Sequence, residues 1–348
     1  MKILLQLFIG IFFIAGCQTT TYEKSPFDDI SVSSRVDIKK DDIALEKINL
    51  DNILSSLNGE LIFDVSFSKA FLFNQDGKLL QEQLGVGPGP KEIPFKAISF
   101  IEQRSDGGLI LVGSSNDYHV VDAAYNRTKS SFIGWQNNPS PEYLRNNPTP
   151  SAHRAYDLAY NLGDMEGKYA YLPLASAPPP FSKFNLTTDL YAHEARIAAK
   201  INLETDKVEA LLGRLSPVYH DNKGARIFSF YSMSVDIEKQ QFYVTYRPDS
   251  LIYVMDKQLK PHRAFGNKGK NMNTDYQSFS STKDVDKLTT HWQKEEQRRG
   301  FYTGIHVEPS LDMVFRSYTT GDNDSHDGLQ IYQNETLIAY GTVPEGFK

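Results

Sequence analysis

The sequence predicts an all-β chain folded as a β-propeller, six-bladed, of four-stranded antiparallel blades, with one helix inserted near 281–299. Three observations predict it. Residues 228–266 read as one sheet unit, with FSFYSMSV, QFYVTY, LIYVMD and LKPHRAFG as strands. Glu238-Lys239-Gln240, Arg247-Pro248-Asp249-Ser250 and Lys257-Gln258 supply the turns. Aromatic and β-branched residues suit a pleated surface, and proline and aspartate punctuate it. Second, the closing hairpin of this unit recurs. Copies end at Gly85, Gly134, Gly213, Gly266 and Gly341, at intervals of 49, 79, 53 and 75 residues. A period of about 40–50 residues is that of a propeller blade, and the two long intervals read as blades carrying insertions. Third, 19 Tyr and 21 Phe in 348 residues favour sheet and supply a core.

Composition removes several function classes. The net charge is −6 and no basic stripe appears, so nucleic acid is not an expected partner. Cys17 is the only cysteine, which excludes a disulfide within the chain. If lipid consumes that thiol, cysteine nucleophiles, Cys-based zinc sites and iron–sulfur clusters drop out together.

Residues 1–17 read MKILLQLFIGIFFIAGC. Lys2 precedes a 14-residue apolar run from Ile3 to Gly16, short for a membrane span and right for the apolar region of a signal peptide. The run ends Ile14-Ala15-Gly16-Cys17, which resembles the lipobox of bacterial lipoproteins. The resemblance implies that residues 1–16 are a signal peptide, that Cys17 is the lipid attachment site, and that the lipid bilayer is a partner. Gln18, where retained lipoproteins carry aspartate, implies the outer membrane. Residues 17–58 are polar and read as a lipidated N-terminus and tether, and 59–348 as the propeller domain.

In that domain, GELIFDVS and KAFLFN open the first unit, with Gln75-Asp76-Gly77 as its turn. The segment GVGPGPKEIPF that follows has the glycines of a phosphate loop. Pro88, Pro90 and Pro94 each remove an N–H donor and no helix follows, so a rigid loop between blades is expected instead. Asp106-Gly107-Gly108 turns the next unit. Residues 135–153 are rich in Pro and Asn and read as a surface loop. Residues 168–174 are a strand, Pro178-Pro179-Pro180 a stiff extended piece, and LSPVYHDNKGA a loop. STKDVDKLTTHWQKEEQRR, residues 281–299, has helix-forming composition.

LGVGPGPKEI, residues 84–93, resembles the G-x-G-P-G-E segment of six-bladed propeller lipoproteins of Bacteroidetes, a TolB-like or NHL-like propeller type of uncharacterised function. Lys91 intervenes before Glu92. FYTGIHVEPSLDMVFRSY, residues 301–318, is similar to a segment of a related lipoprotein family of the same bacteria. Tyr302, Gly304, Ile305, Pro309, Phe315 and Arg316 match, whereas Val307, Ser310 and Leu311 depart from it. The resemblance implies the fold and an envelope address, and it brings no reaction.

The eight histidines show no H-x-H or H-E-x-x-H spacing, and no G-x-S-x-G elbow is present. GDNDSHDG, residues 321–328, misses the calcium-loop spacing and reads as a solvated turn. Asp249-Ser250-Leu251 resembles the O-glycosylation motif of exported Bacteroidetes proteins. The ligand-facing candidates are His220, Arg247, Tyr302, His306 and Arg316, polar or aromatic residues placed on loops that converge at a propeller mouth. The expectation is a binding or scaffold module at the cell envelope, with an envelope protein or glycan as ligand and no cofactor. The alternative is a propeller hydrolase or lyase acting on carbohydrate in the central channel.

Overall fold

The computed structural model describes residues 24–44, 60–64, 68–74, 78–94, 98–104, 106–113, 117–135, 140, 142–143, 156–158, 164–166, 168–176, 183, 188–277, 285–321 and 326–344. Cys17, most of the 135–153 loop, the triple proline and the middle of the 321–328 turn lie outside the described residues. Among the described residues, two strands come first, β1 (Ser31–Ser33) and β2 (Val36–Ala44), and then five sheets in sequence order. Sheet 1 holds β3 (Glu60–Asp64), β4 (Lys69–Phe73) and β5 (Leu79–Leu84). Sheet 2 holds β6 (Ile98–Gln103), β7 (Leu109–Gly113), β8 (Asp117–Val121) and β9 (Arg127–Phe132). Sheet 3 holds β10 (Tyr156–Leu158), β11 (Asp164–Glu166), β12 (Tyr169–Ser176), β13 (Ala198–Asn202) and β14 (Lys207–Leu212). Sheet 4 is β15 (Tyr231–Asp236), β16 (Gln241–Tyr246), β17 (Ile252–Met255) and β18 (Pro261–Phe265). Sheet 5 is β19 (Tyr302–Glu308), β20 (Met313–Thr319), β21 (His326–Gln333) and β22 (Thr336–Pro344).

Successive strands of sheets 1, 2, 4 and 5 pair as antiparallel neighbours, and the sheets take a β-propeller arrangement. The burial pattern follows from it. Strands β7 (LILVG) and β17 (IYVM) are buried at every position, because a neighbouring sheet covers each face. One apolar core runs through Val112 and Tyr118 of sheet 2, Tyr171 and Ile201 of sheet 3, and Phe242 and Val244 of sheet 4. A second joins Val254 and Phe265 of sheet 4 to Val314 and Tyr332 of sheet 5.

Sheet 4 is the unit read from sequence at 228–266, with its three turns in place. It begins later, at Tyr231, because Lys223–Phe228 wind into a 3-10 turn. The strand count differs from the uniform expectation. Among the described residues there are five sheets and no sixth, and sheet 1 has three strands. Sheets 4 and 5 each gain a fifth strand, because β1 pairs in parallel with β18 and β2 with β22. Residues 31–44, read as tether, therefore belong to the sheets. Phe27 goes further, burying its ring edge-on against Tyr253 with centroids 4.9 Å apart.

Among the described residues, the connections hold the helices α1 (Leu190–Glu194), α2 (Val218–Asp221) and α3 (Val285–Arg298). The expected helix is α3. It turns Trp292 toward the core and buries Glu295, whose carboxylate holds Arg299 Nε at 3.0 Å one turn on. The segment expected as a loop at 215–225 folds instead as α2 and the 3-10 turn. Arg226 explains the compaction, since its buried guanidinium donates to the Tyr219 carbonyl at 2.8 Å and pairs with Asp189 at 2.8 Å. Among the described residues no helix is long and apolar enough to cross a membrane.

Candidate functional site

Three of the five residues singled out from sequence meet in the seam between sheets 4 and 5. The innermost strands are stitched there by serines of β15. Ser232 Oγ donates to the Thr303 carbonyl at 3.2 Å, and Ser234 Oγ accepts from the Val307 N–H at 3.2 Å. Arg316, on β20, has no exposed surface. It donates to Gln330 Oε1, to the Ser250 and Asn267 carbonyls at 2.9 Å each, and to the Tyr332 hydroxyl at 3.1 Å. Its guanidinium carbon lies 3.8 Å from the Tyr302 ring centroid. Tyr302 is equally buried. Its hydroxyl donates to the Asn267 carbonyl and accepts from the Gly269 N–H, and burial pushes its pKa up to about 12. Both side chains clamp one sheet to the next, with a cation–π contact in a dry setting, and neither meets solvent.

Arg247 closes one end of this seam. Its carbonyl accepts from the Tyr302 N–H at 2.9 Å and its guanidinium pairs with Glu296 of α3 at 2.9 Å. It lies over the rings of Phe301 (4.6 Å) and Phe230 (5.6 Å). Lys183 sits 3.7 Å over the same Phe230 ring. Burial, and then the nearby Arg247, lower its pKa to about 8. His220 stands apart, on α2. Its ring stacks on His193 of α1 at 4.1 Å and its Nε2 meets the Ala192 carbonyl at 3.0 Å. His306 is exposed on β19, 6.5 Å from the Phe315 ring, and joins none of the others.

The other end of the seam opens into a groove of about 270 Å³. It was not among the sequence candidates. Its walls are the tight turns that join β15 to β16, β19 to β20 and β21 to β22, with Arg263 of β18 between them. Ion pairs cross it from sheet to sheet. Lys239 reaches Asp312 at 2.7 Å, and Arg263 Nε reaches Glu335 at 2.6 Å. Asp236, with no exposed surface, stands behind Lys239 Nζ at 3.4 Å, and these partners raise the lysine pKa, Asp312 foremost. The turns are left-handed, with φ of 49° at Asp312, 49° at Asn334 and 62° at Glu335. A two-residue hairpin turn with both φ positive favours Asn-Gly. Here glutamate takes the glycine position, at a cost of about 1 kcal/mol, and presents its carboxylate to Arg263. The traces of this site in sequence are faint. A lone Arg in PHRAF and an acidic or amide residue in each turn are all that mark it.

Two motifs resolve as structure. Asp249 of Asp249-Ser250-Leu251 is buried, accepts from the Leu251 N–H at 2.9 Å and from Tyr253 Oη at 2.8 Å, and burial raises its pKa. The glycines of GVGPGPKEI make room for Glu92. Its carboxylate accepts from the Gly89 N–H at 2.7 Å, and a Cβ on Gly87 would stand 2.2 Å from it. Arg127 Nη1 then fixes the Glu92 carbonyl at 2.7 Å. The loop binds its own carboxylate where a phosphate loop would bind its ligand.

No protein-family model matches the chain, and no curated protein matches it in sequence. Among solved structures it is similar to a member of the DUF4221 family from Bacteroides vulgatus. The TM-score is 0.57 at 10% identity, over 93% of this chain and 86% of that one. A putative exported protein from Bacteroides fragilis gives a TM-score of 0.43 at 10% identity, over 93% and 74% of the two chains. The first likeness shows the fold alone, and the second is too distant to carry any conclusion.

Proposed function

We propose that this protein is a lipid-anchored binding module of the bacterial cell envelope, and that its propeller takes a ligand in the groove between sheets 4 and 5. The observation that carries the reading is the groove itself. A concave site walled by short, conformationally fixed turns, with polar groups converging over an apolar floor, has the form of a ligand pocket. The buried Arg316 and Tyr302 clamp holds its two walls in place. Anchoring rests on the lipobox-like Ile14-Ala15-Gly16-Cys17. Acyl chains on Cys17 would supply membrane affinity of about 0.8 kcal/mol per buried CH₂, and Gln18 favours the outer membrane. In this reading the propeller has six blades.

Each part has its own test. Radiolabelled palmitate should enter the expressed protein, and Cys17→Ser should abolish labelling and release the chain from membranes. Unchanged labelling in that variant removes the anchor. A glycan and peptide screen of the full chain tests the groove. A ligand whose affinity is the same for wild type and Lys239→Met places the binding site elsewhere.

A further inference from the structure

We infer that the groove takes an uncharged, hydroxyl-rich ligand, a neutral oligosaccharide, held between the Arg263–Glu335 and Lys239–Asp312 pairs. This rests on the proposed role of the groove and adds the chemical class of what fills it. Each cation already has a carboxylate from the opposite sheet. Asp236, Asp312 and Glu335 outnumber Lys239 and Arg263, so an anionic ligand meets an excess of negative charge. A cationic ligand would share carboxylates whose charge Lys239 and Arg263 already offset, and gains less from them than from free ones.

The pairs nevertheless leave hydrogen-bonding capacity unspent. Arg263 uses Nε on Glu335 and Nη2 on Gln241, and a guanidinium has further N–H groups. Glu335 and Asp312 each engage one oxygen with a cation, and a carboxylate has two. Each pair thus sets a donor beside an acceptor. A pair of adjacent hydroxyls satisfies that pattern, because each hydroxyl both donates and accepts. Pro309 and Met313 are part-exposed beside them and offer an apolar surface to the C–H face of a sugar ring. The cavity, at about 270 Å³, is near the lower limit of ligand pockets, with room for the end of a glycan and an open rim for the rest.

Isothermal titration of the full chain in mild detergent reads the class. The panel is neutral oligosaccharides, uronate oligosaccharides, and acidic and basic peptides. A neutral oligosaccharide should bind, with affinity changing about twofold or less when salt is raised about tenfold. Arg263→Met and Glu335→Gly should each weaken it by about tenfold or more. Glu335→Gly also relieves the left-handed backbone, so its melting temperature should hold or rise while binding falls, which separates contact from loss of fold. If every neutral oligosaccharide fails to bind at millimolar concentration, the inference is wrong. A charged ligand that binds in preference and is lost in both variants overturns the sugar class and leaves the groove as the site. Binding indifferent to both variants overturns the groove, and with it the proposed role.

Discussion

Arg316 shows how far a residue's chemistry depends on partners distant in sequence. Its acceptors Ser250 and Asn267 lie 66 and 49 residues back along the chain. Sequence presents only an arginine in FRSY, which reads equally as a ligand contact or a clamp. The same holds for Tyr302. Sequence marks both as ligand-facing, whereas the structure buries both where they join two sheets. With Met at position 316, the Ser250 carbonyl and Gln330 Oε1 lose Arg316 as donor, and the Asn267 carbonyl loses one of its three. Urea unfolding of Arg316→Met should show a loss of about 3 kcal/mol or more. A midpoint near wild type would mean that the seam is held by its apolar contacts alone.

At the scale of elements, legibility follows local pattern. Sheet 4 could be read strand by strand because apolar runs and turn residues sit side by side in the chain. Helix α3 was legible from composition. Helix α2 was not, since four residues carry no period and its stability comes from Arg226 across the 3-10 turn. The α1–α2 pair has a pH dependence of definite sign. Burial lowers the pKa of His193, and burial with His193 alongside lowers that of His220. Asp189, Glu194 and Asp221 oppose the shift, and Arg214 and Arg226 reinforce it. The unfolded chain then binds more protons near the ordinary histidine pKa of about 6.5. Stability contributed by the neutral stack is fully present above that pH and is lost as pH falls below it. The melting temperature should therefore decline between about pH 7 and 5, and His220→Gln should flatten the decline relative to wild type. Parallel curves for the two proteins would exclude the stack as the cause.

Across the whole molecule, the sheet architecture was legible from the recurring hairpin, while the ends of the sheets were not. β1 is only three residues, SVS, and β2 is polar and rich in charge, as Lys39-Lys40-Asp41-Asp42 illustrates, and nothing local distinguishes them from linker. Only the bare edges of β18 and β22 make strands of them, by offering unpaired N–H and C=O groups to a passing chain. The arrangement covers those two edges and ends sheet 5 in a charge-rich strand, as native sheets commonly do. Deleting residues 24–44 should expose both edges. The deletion variant should melt several degrees lower and form oligomers on size-exclusion chromatography, and a monomer of unchanged melting temperature would show that the edges need no cover.

Because β1 extends sheet 4 and β2 extends sheet 5, the two sheets that frame the groove, the N-terminal segment acts as a tie-rod between them. A pull applied at residue 24 loads the short β1 ladder lengthwise before it reaches β2. Tension on this segment is thus delivered to the two sheets that frame the groove, through the three-residue ladder of β1 and then through β2.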